Sequence, residues 1–497
     1  MDKNENDETT KILNNLYSRQ IGTYGKETMN NLMNLRVLIL GIRGNGLEIA
    51  KNLVLSGVNL VTIYDPTPVS IYDLCSNYYL EEEDINKRRD ESVLKKLKEL
   101  NPFTHVDILQ FEEKKEKEES FEEFLSKLNY KVIVQTEIIS EEKIIKLSDY
   151  CHKNKIHFIY GVTFGLNGSI FNDFGEDFTI YDSDGREPKK YHIKEISNEE
   201  KAIMVIEEER VGFNENDSII LKTIEGMTEI NQHKEPIKIL EVKKDENNNK
   251  KFVLDINTTN FSKYIAGGLA YKPKEHIKKN FKSYKECYSI PFERKEREEY
   301  FSIYEESEEF LYTERYYLCI FLAIGKYLNK NDKLPELNDI EKAKEIAKIA
   351  NDLFVKIMNH DKEMNIEYDE YSEEEIRKFD EKEVINIVKR CKAEIAPMCS
   401  IIGGLVSQEI IKTTGKYEPI EQWKFYDFSF IVPNEEEKVK ETNEKEIIVK
   451  EEKKEIKEEV KEEKKEEKEE VKEEKKEEKE EVKEEDKEEK KEKEEVK

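Results

Sequence analysis

Arg36-Val-Leu-Ile-Leu-Gly-Ile-Arg-Gly-Asn-Gly46, the helical pattern of residues 47–56, and Gly57-Val-Asn-Leu-Val-Thr-Ile-Tyr-Asp65 run on without a gap, and they decide the fold. A short apolar run of this kind suits a strand buried on both faces. The glycines let the chain turn tightly into a helix, Gly57 ends that helix, and a second apolar run stops at an acidic residue. Strand, glycine turn, helix, strand and acid in this order spell a Rossmann-type unit. Upstream, residues 17–34 carry Ile21, Tyr24, Met29, Leu32 and Met33 and read as a loop leading into an amphipathic helix. Downstream, residues 131–135, 140–153 and 156–163 repeat the strand, helix, strand signal, so the fold class is α/β with a mainly parallel sheet.

Past residue 176 the pattern changes. Residues 178–181, 202–206, 217–221, 237–240 and 252–254 are short strand-like runs separated by turns, which reads as a small β-barrel inserted into the α/β domain. Residues 294–392 lack strand patterning and are rich in Leu, Ile, Ala, Glu and Lys, as a helical bundle is; Phe310, Leu311 and Tyr317 open its first apolar stripe. An apolar helix then starts at Pro397 and closes near Gly415, and residues 423–430 supply a last strand.

Residues 451–497 hold 25 acidic residues and 17 Lys, with Val460, Val471 and Val482 recurring every 11 positions. One Val per three helical turns makes no buried seam, so this tail reads as a solvated charged helix or disordered chain. Its net −8 leaves −20 of the total −28 on residues 1–450. An acidic body without a concentrated basic patch repels phosphate backbones, which argues against nucleic acid as a partner.

Six Cys, at positions 75, 151, 287, 319, 391 and 399, form no CxxC pair and no Cys/His set at zinc spacing, so they read as reduced thiols and no metal is expected. Cys151, Cys391 and Cys399 fall in helical patterns and read as packing residues; Cys287 falls in a loop with no activating partner. The polar first residues and the lack of any run of 18 apolar residues imply a cytoplasmic and nuclear protein with no membrane partner.

Five stretches carry a resemblance: Tyr17-Ser-Arg-Gln-Ile21; the glycine turn with Glu48-Ile-Ala-Lys-Asn52; Phe164-Gly-Leu-Asn-Gly-Ser-Ile-Phe-Asn-Asp-Phe-Gly175; Asp182-Ser-Asp-Gly185; and Ile402-Gly-Gly-Leu-Val-Ser-Gln-Glu409. Together, over residues 15–432, they resemble the first half of ubiquitin-activating enzymes in the ThiF-like superfamily. The resemblance implies an inactive adenylation domain (residues 1–175), an inserted barrel that is the first catalytic-cysteine half-domain (176–265), a linker and four-helix bundle (266–392), a return to the adenylation domain (393–434) and the Lys/Glu tail (435–497). It further implies a non-catalytic half that supports activation of ubiquitin by a catalytic adenylation half, in the same longer chain or in a separate subunit. That partner would bind ATP and magnesium, with no cofactor expected on this chain, which alone would be inactive.

The resemblance also says which half this is. Active members carry a GxGGxG turn whose second glycine lets the backbone approach the nucleotide phosphates, and that position holds Arg43 here. Their Asn-Arg-Gln-Phe segment is replaced by Ser76-Asn-Tyr-Tyr79, and their magnesium-binding Asp by Thr136-Glu-Ile-Ile139, which leaves Glu137 as an incomplete stand-in. The family's catalytic Cys would lie after the end of this chain, so no catalytic residue is assigned.

Arg19, in the Ser-Arg-Gln segment, is implied to reach the ATP phosphates of the partner half, where an always-charged guanidinium stabilises phosphate charge. The competing reading is a surface Arg paired with a nearby acid. Gly41, Gly44 and Gly46 read as keeping the tight turn of a degenerate nucleotide loop, Asp65 as a strand-end cap, and His152 and His157 as structural. Two alternatives stand: the small regulatory subunit of the SUMO-activating enzyme, which resembles this chain but lacks the barrel, and a non-enzymatic ubiquitin-binding regulator, in which Arg19 is dispensable. A nucleotide-dependent oxidoreductase is disfavoured by Arg43 and by the lack of evident hydride-transfer residues.

Overall fold

The computed structural model describes residues 11–111, 120–208, 210–244, 250–289, 309–363 and 379–429. The chain enters through α1 (Ser18–Tyr24) and α2 (Lys26–Leu32). The first of these replaces the expected loop, and Gly25 separates the two helices. Then follow β1 (Arg36–Leu40), α3 (Gly44–Ser56), β2 (Leu60–Tyr64), α4 (Arg89–Glu99), β3 (His105–Ile108), β4 (Val132–Gln135), α5 (Glu141–Lys153), β5 (His157–Phe164) and β6 (Asn167–Asp173). Helix α3 starts within the glycine turn, three residues before the apolar pattern shows it, because Gly44, Asn45 and Gly46 already take helical geometry.

After β7 (Phe178–Ile180) come β8 (Tyr191–Ile196), β9 (Ile203–Ile206), β10 (Ser218–Glu225), β11 (Ile237–Lys244), β12 (Lys250–Leu254), β13 (Ala266–Tyr271) and β14 (Ile277–Lys279). The helices α6 (Glu309–Leu328), α7 (Ile340–Glu363) and α8 (Glu381–Val388) precede α9 (Ala396–Lys412) and β15 (Trp423–Asp427).

The seven-stranded sheet has the order β15-β6-β5-β4-β1-β2-β3. Strands β3, β2, β1, β4 and β5 are parallel, whereas β6 and β15 are added antiparallel at one edge. The central position of β1 explains its uninterrupted apolar run: Val37, Leu38 and Ile39 are wholly buried. Strand β6 is buried along its whole length although it reads Asn-Gly-Ser-Ile-Phe-Asn-Asp. Two of its polar side chains find partners in the return segment: Asn167 Nδ2 donates to Asp427 Oδ1 at 2.9 Å and Asn172 Nδ2 to Glu409 Oε2 at 2.7 Å.

The inserted barrel closes with six strands in the order β10-β11-β12-β9-β8-β13 around Met204, Phe213, Ile219, Ile239 and Phe252. Two of its strands differ from the sequence reading. In β8 a register shift between Ile193 and Glu195 breaks the period-two alternation, and β13 opens Ala266-Gly-Gly, which reads as a turn. The barrel therefore runs past the expected boundary at residue 265 to Tyr271. The run at 178–181 lies outside it: β7 pairs with β14 in a separate two-stranded ribbon.

Among the described residues of the 266–392 segment, α6, α7 and α8 pack on one another. Instead of a stripe, α6 is buried on every side: from Tyr316 to Leu328 only Lys326 is less than buried. One side of α6 meets α7 and α8, and the other meets the sheet, where Phe321 lies 5.7 Å from the Trp423 ring. A helix with apolar neighbours all round reads apolar all round. The side chains of Phe310 and Leu311, the rest of the expected four-helix bundle, and the tail of residues 435–497 lie outside the described residues. The last strand ends at Asp427.

Candidate functional site

The glycine turn joins β1 to α3 at the carboxyl end of the parallel strands, the place where open α/β sheets bind ligands. Gly41 has φ +91°, and a Cβ there would lie 2.7 Å from Thr136 Oγ1, whose hydroxyl donates to the Gly41 carbonyl at 2.9 Å. A Cβ on Gly46 would come within 2.2 Å of the Gly41 carbonyl oxygen. Backbone cannot swing aside as a side chain does, so Gly46→Ala should cost about 1–3 kcal/mol of stability through local displacement. Chemical denaturation of the full chain checks this; a loss below about 0.5 kcal/mol, the range of neutral surface changes, would contradict it.

The N-terminus of α3 presents unpaired N–H groups, and the helix dipole favours negative charge there. The structure fills that position from within. Glu394, just ahead of α9 and 6% exposed, accepts from the backbone N–H groups of Gly44 at 3.0 Å and Asn45 at 3.1 Å, one to each carboxylate oxygen. The Ser76 hydroxyl donates to it at 3.1 Å and the Thr163 hydroxyl at 3.4 Å. Arg43 lies beside it, its Nε 3.5 Å from Glu394 and 3.2 Å from Asp73. The Arg43 side chain is thus folded into an ion-pair network, and the donors that would cradle a phosphate already hold a carboxylate. The residues present do not fit a nucleotide's phosphates.

A second cation, this one buried, stands behind the turn. Arg89, 4% exposed, pairs with Asp65, with Glu137 at 3.1 Å and with Asp73 at 3.3 Å. Asp65 in turn accepts from the Ile42 N–H at 2.9 Å and the Thr67 N–H at 3.1 Å, so it ties the strand end to the turn. Burial opposes the charge on Arg89, but Asp65, Glu137 and Asp73 outweigh it and raise its pKa further. Burial alone would push the Asp73 carboxyl up; Arg89, the Ser70 N–H and Arg43 hold it below the usual range. Burial, then repulsion from Asp65, push the Glu137 carboxyl upward. The 3.1 Å ion pair with Arg89 engages Glu137. The Ser76-Asn77 segment still braces the turn, with Asn77 Nδ2 donating to the Ile42 carbonyl at 3.0 Å.

Arg19 is elsewhere. It is exposed on α1, held out by Tyr17, which is 2% exposed. The Tyr17 hydroxyl accepts from Asn101 Nδ2 at 2.7 Å, and its ring lies over Gly57, where a Cβ would be 2.6 Å away. Among the described residues Arg19 makes no ion pair of its own, so the expected alternative, a pairing with a nearby acid, is not formed there. The structure brings together Gly41, Arg43, Gly44, Gly46 and Asp65 and leaves Arg19 apart from them.

Sequence reasoning missed Glu394, Arg89 and Asp73. Asp73 had a signal, since Ser70 and Asp73 form a capping box at the start of the short helical turn Ile71–Cys75. Glu394 and Arg89 look like ordinary surface charges in the sequence. Cys287 lies in the helix Tyr284–Ser289 rather than a loop, and Cys391 follows the end of α8 rather than lying within a helix. Both are buried, and burial pushes each thiol up to about 12. His152 Nδ1 faces Asp173 at 2.9 Å, and His157 Nδ1 faces the Phe174 carbonyl at 3.2 Å. Among the described residues no group of three or more His, Cys, Asp or Glu is placed to hold a metal ion, and no helix is long and apolar enough to cross a membrane.

The family model described as the ThiF family matches residues 17–446. The chain belongs to the ThiF family. Among its relatives, the ubiquitin-activating enzyme E1 1 of Triticum aestivum is 33% identical over 426 residues, covering 84% of this chain and 36% of that protein. The ubiquitin-like modifier-activating enzyme 1 of Dictyostelium discoideum is 32% identical, covering 86% and 38%, respectively. This ThiF-family chain thus spans little more than a third of the length of the curated relatives it matches.

Proposed function

We propose that this chain is the non-catalytic half of a ubiquitin-activating enzyme, supporting ATP-dependent adenylation and thioester activation of ubiquitin by a catalytic half that binds the ATP and magnesium. The observation that carries the reading is the filled cradle: a ThiF-family turn whose phosphate donors hold Glu394 and whose second glycine position holds Arg43. Such a site supports a partner's chemistry rather than its own.

Two further features support it. Arg19 stands out from an anchored helix with its guanidinium available to a neighbouring domain. Helices α3 and α9 pack together, and Leu55 near the end of α3, Ile401 on α9 and Tyr78 in the segment after β2 are between 41% and 52% exposed, apolar side chains of the kind protein partners cover. The barrel favours ubiquitin over SUMO as the modifier.

The test is affinity isolation of the protein from its own cells followed by peptide sequencing of the complex by mass spectrometry. A polypeptide or continuation of this chain with a GxGGxG turn and a reactive Cys is the expected result. Recovery of ubiquitin alone, or of neither, would overturn the reading and favour a stand-alone binding protein.

A further inference from the structure

The glycine turn's phosphate donors are intact as donors and are nonetheless closed to a nucleotide. Five groups from three parts of the chain converge on one carboxylate: the Gly44 and Asn45 N–H groups, the Ser76 and Thr163 hydroxyls, and the Arg43 guanidinium. Glu394 is 350 positions from Gly44 and is buried where they meet. A carboxylate and one edge of a phosphate present the same thing to two adjacent N–H groups, a pair of anionic oxygens.

We propose that Glu394 is a built-in anion: it permanently occupies the anion site of the turn, shuts that site to nucleotide, and clasps the return segment onto α3. The clasp follows from connectivity. Helix α9 begins two residues after Glu394 and packs along α3, so the charge-assisted hydrogen bonds fix the end of α9 nearest the turn. Gly403 sits where α9 crosses α3, and a Cβ there would lie 2.6 Å from Glu48 Cβ, so the two helices approach closely just beyond the Glu394 contact. The turn therefore keeps its anion geometry for a structural reason, since its ligand is part of the fold.

The inference shares the filled cradle with the assignment as a non-catalytic half, but it is tested on this chain without any partner, so an unrescued Glu394→Ala would sink it while recovery of a catalytic half still decides that assignment. The experiment is thermal unfolding of the full chain in sodium formate against sodium chloride at matched ionic strength, for the natural protein, Glu394→Ala and Glu394→Gln. Formate is the probe because it supplies one carboxylate of the size removed by the Ala variant.

Glu394→Ala should unfold on the order of 5–10 °C lower, since five donors lose a buried charged acceptor, and formate should restore much of that loss along a saturating curve. Glu394→Gln keeps the shape and one acceptor oxygen, so it should be lowered by a few degrees and gain nothing from formate, because its amide still fills the cradle. The natural protein should respond to formate as it does to chloride and show no rise with ATP. An unchanged midpoint for Glu394→Gln, no formate-specific rescue of a folded Glu394→Ala, or an ATP-dependent rise in the natural protein would each overturn the proposal. Should Glu394→Ala fail to fold, the Gln variant and the ATP titration decide it.

Discussion

Arg19→Ala is expected, on the proposed role of this chain, to lower ATP–pyrophosphate exchange by the proposed assembly by about 100-fold or more while leaving assembly intact, the scale seen when one preorganised charge donor is removed from a transition state. The sequence places Arg19 in Tyr17-Ser-Arg-Gln-Ile21, and the structure anchors that segment at Tyr17 while leaving Arg19 exposed. An exposed Arg that makes no ion pair among the described residues has little to do for folding, so the Ala variant should match the natural protein in unfolding temperature and in recovery of the proposed catalytic half. Its effect should fall on the chemistry. Arg19→Lys is the sharper variant: it keeps the charge but loses the planar fork that matches phosphate oxygens, and should recover only part of the rate. The measurement is ubiquitin-dependent exchange at saturating ATP. Activity within about twofold of natural for Arg19→Ala would remove the assigned role and favour the regulator reading, because an exposed Arg without a partner is energetically idle.

Arg89→Met should cost about 3–5 kcal/mol, because removing one member of a buried ionic network leaves its partners as uncompensated charges. Arg89 lies within reach of three carboxylates, and two of them, Asp65 and Asp73, are 3% and 1% exposed. Neither can be rehydrated without opening the turn, since Asp65 also holds the Ile42 N–H and Asp73 the Ser70 N–H. Denaturant titration of the full chain checks the magnitude; a loss below about 1 kcal/mol, the level of a surface pair, would mean that the network is solvated in solution.

Within that network Asp73 contributes a pH dependence opposite in sign to that of Glu137, whose carboxyl is pushed up. The folded pKa of Asp73 lies below the unfolded value, so the stability it confers is present above the unfolded carboxylate range and is lost as pH falls through the depressed folded value. In Arg89→Met that acid-side loss should shrink, because the cation that depresses Asp73 is gone.

Much of the α/β framework was legible because local pattern and global position agree there. An uninterrupted apolar run means a central strand, and β1 is central; a glycine turn followed by 3.6-period apolarity means a helix packed on the sheet, and α3 is that helix. The barrel was legible as a change of period, but β13 was hidden by Gly267 and Gly268, which the strand uses opposite Ile224 and which locally read as a turn. Helix α6 was legible as a helix and not as a buried one, since its environment comes from α7, α8 and the sheet rather than from its own sequence.

At the site, the glycines and Arg43 announced a turn that departs from the nucleotide-binding pattern, because they are judged against a local rule. What fills the turn could not be read. Glu394 meets Gly44 across 350 positions, and Arg89 meets Asp65, Asp73 and Glu137 from the first turn of a helix where the dipole disfavours a cation. Nothing local marks either residue, since each is explained only by charges brought from other elements.

The late arrival of α9 and β15 has a bearing on synthesis. The edge of the sheet at β6 and the face of α3 are completed only by residues 394–427, and the barrel and helices are made in between. At ordinary elongation speeds of about 5–20 residues per second, roughly 220 residues separate the end of β6 from Glu394, which leaves the half-built sheet waiting on the order of 10–45 s. During that interval β6 has an open edge and α3 an uncovered apolar side, the two features most prone to wrong pairing in a nascent chain. Ribosome-bound chains ending before residue 394 are therefore the species in which a chaperone would find this protein, and release from it should coincide with emergence of the return helix.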